Sequence, residues 1–170
     1  MKKSVILFCI ILTITLVMLA LMHQKYSDPF YHATKISDLY LNSSKYFNYT
    51  MSRDRKFQKK HNSNFHYFIL DYSSRKIVTV SFMEFPDTHN ISRSFFVDLS
   101  EIESDESGII DIVSATCTVL DKSLTVEEAK AFAMKIIEQP DTIIEIGDYS
   151  VIYDPMGYTE LNLFVKYKEE

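Results

Sequence analysis

The chain has 170 residues, 46% hydrophobic and 24% charged, which is globular usage and excludes disordered and collagen-like architectures. Two cysteines exclude a disulfide-dense scaffold and a cysteine-rich zinc module. Three glycines exclude most nucleotide folds, which need glycine where backbone meets phosphate, and a formal charge of −5 argues against nucleic acid as a partner.

After Met1-Lys2-Lys3-Ser4, residues 5–22 contain no charge, Pro, Gly, Asn or Gln, and their only hydroxyls are Thr13 and Thr15. As a helix this run reaches roughly 27 Å, close to the ~30 Å of a bilayer's hydrocarbon. A helix also satisfies its own backbone groups, which lipid demands. A cleaved signal peptide has a shorter apolar core and a small-x-small exit, whereas here Met18 stands two places before Ala20, the segment's only alanine. Lipidation of Cys9 lacks a small residue before it, since Leu7-Phe8 precede it. The expectation is an uncleaved transmembrane anchor over 5–22 that contacts the lipid bilayer. Lys2, Lys3 and the amino terminus put residues 1–4 in the cytoplasm as a short tail and the carboxy-terminal part outside.

Beyond residue 22, 16 basic residues face 23 acidic ones, a formal charge of −7, which gives no basic face for phosphates. Cys117 is the one cysteine there, so no intrachain disulfide is available to this part, and a strand filler is its expected role. Residues 23–40 form a juxtamembrane linker; the stretch from Tyr26 to Tyr40 holds Pro29 and reads as linker with at most one short helical turn. An extracytoplasmic domain occupies 41–170.

Strand patterns start at 46–51, where Phe47, Tyr49 and Met51 share a face. Residues 53–64 are polar and loop-like. Residues 65–71 and 76–84 alternate around the turn at 72–75 and make a β-hairpin. After a turn region at 86–93 comes a strand at 94–99. An acidic segment leads to 109–120, an apolar, β-branched run expected as a long strand. Thr125 and Glu128 spell a capping box for a helix to Gln139, with Val126, Ala129, Phe132, Ala133, Ile136 and Ile137 as its packing stripe and Pro140 as its stop. Residues 142–146 and 149–153 form a second hairpin across Gly147-Asp148. Pro155-Met156-Gly157 turns the chain into a last strand at 161–167. The expected fold class is α+β, an amino-terminal transmembrane helix followed by a mostly antiparallel β-sheet domain with one main packed α-helix.

Chemistry-bearing motifs are few. Residues 103–111 place oxygen ligands at alternate positions with Gly108 sixth, as in the first part of a calcium loop, but the chain starts with Glu103 and has Ser114 at the twelfth position, so a solvated acidic loop is expected. Residues 53–61 hold five cations and one acid, suited to solvent or to anionic head groups. His23, His32, His61, His66 and His89 show no metal-ligand spacing, and no G-x-S-x-G elbow occurs. Asn42, Asn48 and Asn90 open N-x-S/T sequons, which matter only in a glycosylating secretory pathway. No residue is assigned as catalytic, cofactor-binding or metal-ligating. The function expected is a single-pass, membrane-anchored, non-enzymatic binding or accessory module for another membrane or envelope protein. Its rivals are a protein secreted after signal cleavage, an enzyme whose site forms only in the fold, and a spacer or assembly factor.

Overall fold

The computed structural model describes residues 10–19, 28–51, 57–59, 64–73, 76–155 and 161–169. The chain divides into two compact units, Met1–Tyr31 and His32–Glu170. In the first, residues 10–19 are helical (α1), and eight large apolar side chains from Ile10 to Leu19 are each 49–58% exposed. Thr15 donates to the carbonyl of Ile11, which keeps its hydroxyl within the helix. Among the described residues no helix is long and apolar enough to cross a membrane. The described part of α1 spans only ~15 Å, and the rest of the anchor expected over 5–22 lies outside the described residues.

The second unit is α+β. It contains α2 (Tyr31–Ser43, counted from His32), β1 (Gln58–Lys59), β2 (Phe65–Ser73), β3 (Lys76–Glu84) and β4 (Ile91–Asp98). A 3₁₀ turn at Ser100–Ile102 leads to α3 (Glu106–Leu120), α4 (Val126–Glu138), β5 (Ile144–Ile146), β6 (Tyr149–Asp154) and β7 (Asn162–Tyr167). The strands form one sheet in the order β1-β2-β3-β4-β7-β6-β5, with every pairing antiparallel. Two meanders are therefore joined edge to edge through β4 and β7, and the connection between them carries α3 and α4.

Alternation decides which face each strand buries. Phe68, Val80, Val97, Leu163 and Tyr153 lie in one register row, and all are buried. The adjoining row, Phe82, Phe95, Val165 and Val151, is buried as well. Helices cover this inner face. Tyr40 of α2 meets Phe68 at 5.7 Å between ring centroids, and its hydroxyl bonds Thr116 of α3 at 2.7 Å. Ala129, Ala133 and Ile136 are the buried positions of α4, the middle of the stripe read from the sequence. Both halves of the capping box are present: Glu128 N–H donates to Thr125 Oγ1 and Thr125 N–H donates to Glu128 Oε2.

Four expectations are corrected. The run 109–120 is helix, not strand: Asp105 caps it by accepting from Gly108 N–H, and α3 is buried at ten of its fifteen positions. A helix covered on most sides loses the polar face that shows its period, and its sequence then reads like a buried strand. Residues 46–51 contribute only an isolated bridge, Thr50 to Asp71, although Phe47, Tyr49 and Met51 are all buried as the alternation requires. The segment read as linker with at most one turn, up to Tyr40, is helical from Tyr31, and this thirteen-residue α2 runs on to Ser43. Its Ala33, Ile36, Ser37, Tyr40 and Ser43 are buried at helical spacing. Among its described residues the domain thus packs three α-helices where one main helix was expected.

The hairpins at 65–84 and 144–154 stand where alternation placed them. Residues 74 and 75 of the first turn and Met156-Gly157 of the later one lie outside the described residues. Gly147 has φ of 56° at the first central position of its two-residue turn, a positive φ that glycine adopts without strain.

Candidate docking surface

The outer face of the sheet is the side that the helices leave open. Its middle row runs Tyr67, Ser81, Phe96, Phe164, Ile152 across five strands. Phe96 sits 5.4 Å from Phe65 and 5.5 Å from Phe164 between ring centroids, the second pair edge to face. Such contacts add to burial, yet these rings remain partly open to solvent. Met83 and Phe85 stand to one side of the row, 41% and 37% exposed.

Small side chains at Ser92 and Ser94 leave a hollow among these large ones. The result is a groove of about 660 Å³ lined by Met83, Phe85, Phe96, Ile152 and Phe164, with Lys166 also on its wall. The serine hydroxyls are used by backbone: Ser92 Oγ accepts from Ser94 N–H, and Ser94 Oγ accepts from Tyr167 N–H. The groove therefore offers apolar surface and one cation. Lys166 is exposed and, among the described residues, has no ion-pair or hydrogen-bond partner.

The rim of the inner face at the Met83 end carries a cluster that the sequence did not reveal. Glu84 alternates with Phe82 and so shares a face with His66, and the β3–β4 pairing shifts register between Phe82 and Glu84. Its carboxylate is within hydrogen-bond distance of His66 Nε2 at 2.8 Å and His89 Nδ1 at 2.9 Å, and accepts from Lys59 Nζ at 3.1 Å. Bonds from His66, His89 and Lys59, in that order of effect, hold the Glu84 carboxyl down at about 2. His89 has φ of 54°, a left-handed conformation inside the loop closed by Phe85 N–H to Asn90 C=O. Among the described residues no three His, Cys, Asp or Glu side chains converge as ligands for a metal ion. The i, i+5 spacing of Glu84 and His89 across a short hairpin was the local signal; His66 arrives only through strand register.

The other candidates resolve into structural roles. The acidic segment is the start of α3: Asp105 is its N-cap, and bonds from Gly108 N–H and Ser107 Oγ hold its carboxyl below the usual range. Cys117 is buried, and desolvation pushes its thiol up to about 12, which leaves it almost wholly as the non-nucleophilic thiol. Of the basic stretch 53–61 only Phe57, Gln58 and Lys59 are described, and Lys59 is spent on Glu84. Asn42, Asn48 and Asn90 are all exposed. A second groove, about 720 Å³, lies between Phe47–Thr50 and the ends of β2 and β3. Its Glu101 carboxylate caps the open edge by accepting from Ile77 N–H at 3.0 Å.

No family model, no curated protein and no solved structure matches this chain.

Proposed function

We propose that this protein is a membrane-tethered, non-enzymatic docking module. Its amino-terminal segment over 5–22 holds it in the bilayer with residues 1–4 in the cytoplasm, and the domain beyond it binds a membrane or envelope protein through the open sheet face. The observation that carries the reading is the half-exposed aromatic row through Phe96 and Phe164, with its adjoining groove. A contiguous apolar patch is costly to leave in water and marks an interaction site. The tether is supported by the uncharged run from Val5 to Met22 and by the exposed apolar side chains of α1. A helix of that composition gains by about 0.8 kcal/mol for each methylene it moves from water into lipid.

The test uses the full chain in membranes. A photo-reactive phenylalanine analogue at position 164 yields a protein adduct, and the same analogue at exposed Lys130 on the helical side does not. Phe96→Ser abolishes the adduct formed from a probe at Ile152. Equal labelling from both sides refutes the docking face. Alkaline extraction leaves the chain in the membrane pellet at full mass; recovery of an intact chain in the aqueous fraction refutes the tether, and loss of about twenty residues assigns the segment to a cleaved signal.

A further inference from the structure

The open face is complementary to itself. On one side of the middle row stand Phe65 and Met83, paired in register, and further across the sheet Lys166, paired with Ser150. On the other side a row runs Ile69, Thr79, Asp98, Asn162, Asp154. The first flank is thus apolar on β2 and β3 and cationic on β7. The second is apolar on β2 and carries a carboxylate on each strand beside β7.

We propose that the partner of this face is the same face of a second copy of the chain, related by a two-fold axis that runs across the strands. The proposal rests on the docking reading above and names its partner. Such an axis sets each strand over its own counterpart and exchanges the two flanking rows, as an isologous interface requires. Phe65 and Met83 then lie over Ile69 and Thr79 of the second copy. Lys166 lies over Asn162 of the second copy, between that copy's Asp98 and Asp154, and the same contact recurs on the other side of the axis.

The alternative two-fold, parallel to the strands, sets each flank on itself. It puts Lys166 over the apolar flank and brings carboxylates toward carboxylates, so charge selects the first arrangement. Two sheets packed this way form a sandwich about 10 Å thick with the aromatic rows interleaved between them. Asp98 retains its bonds from Ser100 N–H and Oγ on one oxygen, Oδ1, and its other oxygen is the one offered to Lys166. Exposed ion pairs of this kind add little affinity, but they fix the register of an apolar interface.

Two differently tagged full-length chains are coexpressed, each with the photo-reactive analogue at Ile152. The expected product is an adduct of twice the chain mass that carries both tags. Lys166→Glu in both chains lowers it at least about tenfold, because like charges then face each other twice. Lys166→Glu in one chain and Asp154→Lys in the other restores the mixed adduct, while Lys166→Glu does not pair with itself. Restoration also reports that both variants fold. An adduct with a different polypeptide and no doubly tagged species overturns self-pairing and leaves the docking reading standing. The absence of any adduct from positions 152 and 164 overturns both. A doubly tagged adduct that Lys166→Glu leaves unchanged overturns the proposed two-fold.

Discussion

Glu84 collects donors from three places in the chain: Lys59 on β1, His66 on β2 and His89 in the hairpin after its own strand. Its carboxyl is held near 2, below the ordinary value of 4.5, so the folded state takes up this proton less readily than the unfolded chain does. The stabilisation is fully present above pH 4.5 and drains away as pH falls toward 2. Glu84→Gln removes that dependence. Urea midpoints measured from pH 6 down to 2 fall less steeply for the variant than for the parent, and parallel curves would refute the assignment. The buried hydroxyls of Tyr40 and Tyr49 behave differently. Both are pushed upward by desolvation; Tyr40 Oη bonds Thr116 Oγ1, and Tyr49 Oη bonds Ser43 Oγ and donates to the Tyr40 carbonyl, so both stay neutral and satisfied. They lend their bonds to the packing of α2 without titrating in the working range.

At the scale of elements, the joint between the first hairpin and α3 is set by one glycine. A Cβ at Gly108 would stand 2.6 Å from Cζ of Tyr72, so the ring needs the bare backbone of the helix's first turn. Gly→Ala inside a helix ordinarily stabilises by about 1 kcal/mol. Here overpacking costs about 1–3 kcal/mol and reverses the sign. Denaturant unfolding of Gly108→Ala, Tyr72→Ala and the double variant tests this. The double variant is more stable than the sum of the singles by at least about 1 kcal/mol, and simple additivity would exclude the contact.

The same elements show what a sequence yields to inspection. Strands β2, β3 and β7 and helix α4 could be read because each has one wet side, and the alternation or the stripe survives in the residues. Helix α3 could not, because burial on most sides removes the contrast between faces. The burial of Phe47, Tyr49 and Met51 was legible while their lack of a ladder was not, since alternate burial needs only an extended backbone. The docking surface was invisible for another reason: Phe65, Phe96 and Phe164 become neighbours through strand order β2-β3-β4-β7, which no local pattern encodes.

Taken whole, the second unit has a helix-covered side and a bare side. Its only cysteine lies in the covered core, at 1% exposure. A Cys9→Ser chain should react with an aromatic disulfide reagent at least about a thousandfold more slowly when folded than when unfolded, since reaction must await global opening. Rapid labelling of the native chain would show that α3 opens locally instead. The covered side supplies stability, and in the proposed docking reading the bare side is the one that meets a partner.

One further property follows from how the sheet ends. Its outermost strands are β1, two residues long, and β5, three residues long. So short a border strand offers an incoming polypeptide few amides to line up against. If the chain pairs face to face as proposed, margins this short favour a closed pair over a filament.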